Sequence, residues 1–265
     1  IFFFIGILFI AGFIPGVLLT LLFVGSIYVQ TLIRPELGPS GPKTKWIEKL
    51  VSTKSALPIL IVFVIIIGGL YFGLFTPTEA AGAGTFVIFI YGLVSRRLTA
   101  RGLYASLIEA IDTTAMVFVI LIGAQIFGYF VAISRLPSEI ASFLVGLQTS
   151  PLIIFFAIVV IYIFLGCLMD TMALVVLTVP IFYPIILALG FDPIWFGVMV
   201  VLVSEMGVIT PPVGVNVYAV AGITDVDMFT IFKGVLPFFI CMLICVIILA
   251  FFPEIATFLP GLISY

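Results

Sequence analysis

Ser204-Glu205-Met206-Gly207-Val208-Ile209-Thr210-Pro211-Pro212-Val213-Gly214-Val215-Asn216 lies inside an apolar segment from about Pro193 to Gly222, long enough to span a bilayer. Pro211 and Pro212 remove two backbone donors, and their rings clash with the preceding turn. Gly207 and Gly214 flank them with residues that tolerate unwinding. A helix cannot run cleanly through this stretch, so the segment 193–222 is expected to be two half-helices meeting near the membrane midplane. Non-helical backbone at that depth survives only where it is buried in protein or lines a polar cavity. Broken membrane helices of this kind build the substrate and ion sites of secondary transporters.

Composition points to the same class. Of 265 residues, 64% are hydrophobic and 8% charged, and the mean hydropathy is +1.48. A soluble domain carries about 25% charged residues, so the lipid bilayer is the expected surrounding of an all-α polytopic membrane protein. No basic patch of the size nucleic acid requires is present. The absence of His excludes Ser-His-Asp and Cys-His chemistry and His-based metal sites from this sequence. Cys167, Cys241 and Cys245 do not form a metal-binding spacing and read as small packing residues. The opening run Ile1-Phe2-Phe3-Phe4 lacks the basic flank and small-residue cleavage site of a signal peptide, and the sequence is expected to be part of a longer chain.

In chain order, residues 1–30 read as one spanning helix with Gly12 and Pro15 near its start. Residues 31–55 hold Arg34, Lys43, Lys45, Lys49 and Lys54 and the turn-forming run Gly38-Pro39-Ser40-Gly41-Pro42; the positive charge predicts a cytoplasmic loop. Within it, Thr44–Thr53 is expected to lie along the membrane surface. Leu57–Leu74 crosses outward and Ala80–Val94 crosses back. Between them Thr76-Pro77-Thr78-Glu79 matches a capping box with Pro at the first helical position, although the carboxylate at a helix boundary also fits a site. Leu98–Asp112 places Leu103, Leu107, Ile108 and Ile111 on one face and predicts an interfacial arm helix. Thr113–Ile133 then crosses outward, leaving Arg135, Ser138 and Glu139 outside.

Ser150-Pro151 restarts a helix with Ser150 as N-cap. Pro151–Leu165 is about 15 residues, roughly 22 Å, short of the ~30 Å hydrocarbon core. The return arm Met172–Leu189 carries Pro180 and Pro184. Two arms around the polar tip Gly166-Cys167-Leu168-Met169-Asp170-Thr171 predict a re-entrant hairpin over 151–189. Asp192 is expected to cap the broken helix, Thr224–Lys233 to be cytoplasmic, and Gly234 to about Leu259 to cross outward. Nine of the ten Lys and Arg then fall on the cytoplasmic side, with Arg135 outside. The domain reading is scaffold helices, loop and arm in 1–110, a transport part in 111–233, and a final scaffold helix in 234–265. Gly12-x-x-Pro15 and Gly234-x-x-Pro237 echo one another, as expected for an inverted repeat.

An intramembrane carboxylate is costly and is a functional-site candidate by default. Asp170 is one, at the hairpin tip; in the alternative it is a solvated residue of an ordinary external loop. Gly166 permits the turn, and Thr171 and the free carbonyls nearby offer oxygen ligands that suit Na⁺. Glu205 precedes the break and could bind a cation, carry a proton, pair with Thr210, or hydrogen-bond the unwound backbone. The cation set is therefore Gly166, Met169, Asp170, Thr171, Glu205, Gly207 and Thr210. The half-helix beginning near Val213-Gly214 points free N–H groups into the site, where a substrate carboxylate could bind. The substrate set is Thr210, Pro211, Pro212, Val213, Gly214 and Asn216.

The runs Phe75-Thr76-Pro77-Thr78-Glu79-Ala80-Ala81, Gly166-Cys167-Leu168-Met169-Asp170, Thr178-Val179-Pro180 and Glu205–Asn216 resemble, in order and spacing, the large membrane subunit of tripartite ATP-independent periplasmic (TRAP) transporters. The resemblance implies an inverted-repeat, elevator-type ion transporter fold and Na⁺-coupled symport of an organic acid anion, such as sialic acid or a C4-dicarboxylate, in the bacterial inner membrane. It implies as partners a small Q-type membrane subunit and a periplasmic binding protein that delivers substrate. Val203 stands where many relatives have Asn, which puts one contact near the break in question. A binding-protein-independent Na⁺ or H⁺ symporter of carboxylates shares the paired-hairpin architecture, but Met169-Asp170-Thr171 departs from its usual Ser-Asn-Thr tip. An intramembrane protease would need a His or a paired Asp motif.

Overall fold

The computed structural model describes residues 2–38, 46–71, 73–146, 149–224 and 226–262. The turn run at 39–42, Lys43, Thr44 and Lys45 lie outside the described residues. Every regular element is helical, and five helices are long and apolar enough to cross a membrane among the described residues: Gly6–Ile33, Pro77–Val94, Ala100–Ser134, Thr171–Ala188 and Met228–Phe251. Shorter apolar helices cover Leu57–Leu70, Pro151–Gly166 and Pro193–Gly207.

The chain divides into two compact units, Ile1–Ile10 with Ile33–Ala115, and Ala11–Leu32 with Met116–Tyr265. The first helix of the expected span 1–30 is interrupted: α1 (Phe2–Ala11) and α2 (Phe13–Ile33) meet at Gly12. Pro15 has no N–H to return to Ala11, and the ladder restarts with Gly16 N–H donating to the Gly12 carbonyl at 2.9 Å. Gly234, the counterpart of Gly12 in the sequence echo, instead sits inside an unbroken helix.

In the first unit, α3 (Trp46–Tyr71) is one helix that runs through Pro58. The expected surface segment 44–53 is thus, from Trp46, simply the opening turns of α3. Its continuity through Pro58 costs one backbone hydrogen bond, which is cheaper than ending a helix in an apolar stretch. α4 (Pro77–Val94) returns against it, and Gly84 lets the two approach: a Cβ there would lie 2.5 Å from Ile66 Cδ1. The capping box forms as read. Thr76 N–H donates to Glu79 Oε2 at 2.8 Å and Glu79 N–H to Thr76 Oγ1 at 3.3 Å. Glu79→Ala is therefore expected to lower the unfolding midpoint of the detergent-solubilised protein, with Glu79→Gln recovering part of it; an unchanged midpoint would deny the box a stabilising role.

α5 (Ala100–Ser134) corrects the arm-plus-span reading of 98–133. Its 35 residues form one unbroken helix, because nothing between Asp112 and Thr113 breaks the ladder: no Pro, no Gly, no cap. At 1.5 Å per residue it is about 50 Å long, well beyond the hydrocarbon core.

Beyond α5, Arg135 takes a left-handed φ of 54° and turns the chain into α6 (Leu136–Gly146), where the sequence reading had only an external connection. Pro137, Ile140, Ala141 and Leu144 form its buried and half-buried stripe and pack it on α8. The hairpin follows as α7 (Pro151–Gly166) and α8 (Thr171–Ala188) around residues 167–170. Ser150 precedes α7 but makes no side-chain cap bond, so Pro151 alone marks that start. α8 continues through Pro180 and Pro184.

The interrupted helix is α9 (Pro193–Gly207) and α10 (Val215–Ile223). Asp192 caps α9 as expected, accepting from Ile194 N–H at 2.7 Å and Trp195 N–H at 3.0 Å. The last crossing is shorter than expected: α11 (Met228–Phe251) ends before Pro253, and α12 (Glu254–Leu262) is a separate helix.

The densest packing lies around α9, which touches α7, α8, α11 and α12. Trp195, Met206, Leu174, Ile186, Cys245, Val246 and Leu249 are fully buried there. Trp195 stacks on Phe191 with centroids 4.9 Å apart and meets Phe155 at 4.8 Å. Its indole N–H donates to the Leu249 carbonyl at 2.7 Å. That carbonyl needs a donor from elsewhere, because its helical partner four residues on is Pro253, which has none. α2 reaches α11 through Phe23 against Phe238 and through Cys241 Sγ on the Leu22 carbonyl.

Candidate functional site

The two C-terminal ends of α7 and α9 meet backbone to backbone. A Cβ on Gly207 would lie 2.6 Å from Gly166 Cα, and one on Gly166 would lie 2.9 Å from Gly207 Cα. Only glycine at both positions permits this approach. Each helix end carries partial negative charge on carbonyls that have run out of helical donors. On α7, Cys167 N–H bonds the Ile163 carbonyl and Met169 N–H the Leu165 carbonyl; among the described residues the Gly166 carbonyl receives no backbone donor. On α9, Val208 N–H bonds Ser204 and Thr210 N–H bonds Gly207, while Thr210 Oγ1 donates to the Met206 carbonyl at 2.5 Å. Among the described residues the Glu205 carbonyl receives no backbone donor.

The opposite polarity comes from α8 and α10, which begin where α7 and α9 end. Asp170 caps α8, accepting from Met172 N–H at 2.9 Å. Gly214, at φ 63°, caps α10 without a side-chain bond. A Cβ on Gly214 would sit 2.9 Å from the Phe232 ring and 3.3 Å from the Thr210 carbonyl, so this glycine serves both the left-handed turn and the close packing. The amide of Asn216 is taken by the Val208 carbonyl at 3.2 Å, which folds the break back on itself. The free amides expected from Val213-Gly214 onward are accordingly fewer: the helix begins at Val215, and Val215 and Val217 are the first-turn amides not drawn into the break.

The structure brings together Gly166 with Gly207, Thr210 with Gly207 and Gly214, and Thr171 with Glu205, whose Oε1 accepts from Thr171 Oγ1 at 3.3 Å. Met169 is half-buried and bonds only to its own turn, and the Asp170 carboxylate is turned onto its own helix. Pro211 and Pro212, joined by a cis peptide, are exposed, as is Asn216, whereas Val213 is half-buried. Glu205 bonds Thr171 rather than Thr210, whose hydroxyl turns back to its own helix. Among the described residues no three of His, Cys, Asp and Glu gather, and the oxygens at the helix ends are backbone carbonyls, the hydroxyls of Thr171 and Thr210 and the Glu205 carboxylate. That donor set fits a hard monovalent ion.

Two buried features were not read from the sequence. Tyr162 and Thr178 join the hairpin arms: their hydroxyls are 2.7 Å apart, and Thr178 Oγ1 also lies 2.7 Å from the Leu174 carbonyl. Ser204 is fully buried, and its hydroxyl has no hydrogen-bond partner among the described residues. The only sequence signal for either was a polar side chain in an apolar run.

Five candidate spans among the described residues, a helical hairpin and an interrupted helix crossed at paired glycines define an all-helical, multi-pass membrane protein. The sequence model of the tripartite ATP-independent periplasmic transporter, DctM component, matches residues 3–255, and the chain belongs to that family. The family is one of transporter permeases, not of enzymes. The chain is 36% identical over 259 residues to the sialic acid TRAP transporter large permease protein SiaM of Vibrio cholerae, covering 97% of this chain and 60% of that one. It is 34% identical over 258 residues to the C4-dicarboxylate TRAP transporter large permease protein DctM of Pseudomonas aeruginosa, at 97% and 60%. The isethionate TRAP transporter permease protein DctMQ of Oleidesulfovibrio alaskensis shares 36% over 261 residues, covering 97% of this chain and 40% of its own length. The chain thus spans 60% of the length of the first two relatives.

Proposed function

We propose that the protein carries out Na⁺-coupled symport of an organic acid anion across the bacterial inner membrane, as the large membrane subunit of a tripartite system. The observation that carries the reading is the meeting of two helix C-termini at Gly166 and Gly207. Bringing two negative dipole ends into backbone contact creates a place that favours a cation. Na⁺ is here a transported co-substrate, received by carbonyls at the ends of α7 and α9 with hydroxyls such as that of Thr210. The amino-terminal end of α10 favours the substrate anion, whereas that of α8 is already taken by the Asp170 carboxylate. Sialic acid and C4-dicarboxylates are the first substrates to try, because two similar permeases carry those names. A periplasmic binding protein is the proposed donor. A small Q-type subunit is the proposed membrane partner, the name DctMQ supporting a system in which M and Q parts work together.

In the proposed elevator cycle the re-entrant hairpin and the interrupted helix travel as one body. We place α11 with that body rather than with the scaffold, where the sequence reading put residues 234–265, because the Trp195 bond to Leu249 and the buried Cys245, Val246 and Leu249 fasten it to α9. Differential binding of Na⁺ and substrate to the occluded states supplies the coupling.

The test is uptake into proteoliposomes holding the complete transporter, with the Na⁺ gradient and the binding protein varied independently over a panel of organic acids. Uptake requiring both is the expected result. Uptake with Na⁺ alone would favour a two-component symporter, and a proton requirement would move the coupling to Glu205. Thr210→Ala is expected to raise the Na⁺ concentration for half-maximal uptake about tenfold, the loss of one hydroxyl ligand. If neither Thr210→Ala nor Asp170→Asn changes Na⁺-dependent uptake, the site is misassigned.

A further inference from the structure

We propose that Glu205 is a positioning residue: through Thr171 it latches the return arm of the hairpin to the interrupted helix, and so sets the spacing of the carbonyls that receive the cation. The functional half of this inference rests on the cation reading above; the structural half does not.

Glu205 lies two residues before the end of α9, where a helix dipole disfavours a carboxylate. The end of α7 adds a second negative terminus, through the Gly166 and Gly207 contact. Among the described residues Glu205 has no ion-pair partner, and the hydroxyl of Thr171 is its hydrogen-bond donor, across 34 positions of sequence. Thr171 is the first residue of α8, so the donor sits at the positive end of that helix. The carboxylate is thereby drawn away from its own helix terminus toward that of its neighbour. Asp170 does not compete for this role, because its carboxylate already accepts from Met172 N–H.

The consequence is geometric. Gly166 meets Gly207, and Thr171 meets Glu205, so the hairpin and α9 are joined by a backbone contact and by a side-chain hydrogen bond. Two points fix the separation of α9 from the hairpin tip where one would leave a pivot. A direct ion ligand would have no need of the Thr171 contact, whereas a latch depends on both partners equally. The pair therefore acts as a unit, and each member loses its effect when the other is removed.

The experiment compares Thr171→Val, Glu205→Ala, the double variant and Thr171→Ser in the complete transporter. Uptake in proteoliposomes gives the half-saturating Na⁺ concentration and, at saturating Na⁺, the substrate KM. Hydrogen exchange of residues 165–173 in detergent reports the latch without reference to transport. Both single variants are expected to raise the half-saturating Na⁺ about fivefold, with substrate KM little changed. Both are expected to speed exchange at the tip by a similar factor, the double variant to be no worse than either, and Thr171→Ser to restore both readouts. Additive effects, a Glu205→Ala loss that Thr171→Val does not share, or unchanged exchange in either single variant would overturn the latch. If wild-type uptake needs no Na⁺ but tip exchange still rises in both variants, the latch stands and the cation reading falls.

Discussion

Gly207→Val is expected to abolish transport and to lower the unfolding midpoint more than any other single change at the crossing. The first atom of the new side chain would lie 2.6 Å from Gly166 Cα and 2.8 Å from the Gly166 carbonyl carbon. Those are backbone atoms, so no rotamer change relieves the collision; α7 and α9 must separate. Overpacking of this kind costs about 3 kcal/mol, and separating the helices also parts the carbonyls assigned to the cation. Gly166→Ala meets backbone at 2.9 Å and should behave alike to a lesser degree. Gly234→Ala is the control, since a Cβ there meets nothing within 4 Å and helix propensity favours Ala. Midpoints in detergent and uptake in proteoliposomes read the two effects separately. A Gly207→Val protein with wild-type midpoint would mean that the helices do not touch there.

Trp195→Ala should be nearly as damaging to stability, for a different reason. The indole is fully buried between Phe155 and Phe191, and truncating it leaves a cavity worth about 4 kcal/mol. Trp195→Phe separates packing from hydrogen bonding. It keeps a ring but leaves the Leu249 carbonyl without a donor, a penalty of about 1 to 2 kcal/mol. The proline explanation adds a sharper expectation: Pro253→Ala restores a backbone N–H four residues beyond Leu249 and should rescue Trp195→Phe more than it affects the wild type. Thermal midpoints of the four proteins decide it. No rescue would mean that Pro253 is not the reason the carbonyl depends on the indole.

Much of the site could be read from spacing because the relevant constraints are local. Pro211 and Pro212 lack donors whatever surrounds them, so the break at 208–214 follows from covalent structure. The capping box at Thr76 and Glu79 and the Asp192 cap of α9 are likewise decided within four residues. The errors arose where local rules permit two answers. Nothing in residues 98–133 says whether an amphipathic stretch bends onto the surface or continues into α5. α6 was passed over because its stripe of Pro137, Ile140, Ala141 and Leu144 has meaning only once α8 is beside it. Ser150 looks like a cap by type, yet its hydroxyl finds no amide.

The sequence by itself determined the membrane class, the hairpin, the interrupted helix and the residues that could serve as oxygen ligands, because hydropathy, prolines and glycines act on their immediate neighbours. Which of those residues meet was decided by the tertiary structure alone. Gly166 reads as a turn residue and Gly207 as a point of unwinding; that they serve as each other's contact surface depends on how α7 packs along α9. Glu205 could have paired with Thr210, five residues away, but the arrangement of α8 beside α9 puts the Thr171 hydroxyl there instead. Hydrogen-bond partners 34 residues apart are set by helix packing, and packing is a property of two surfaces that no single stretch of sequence contains.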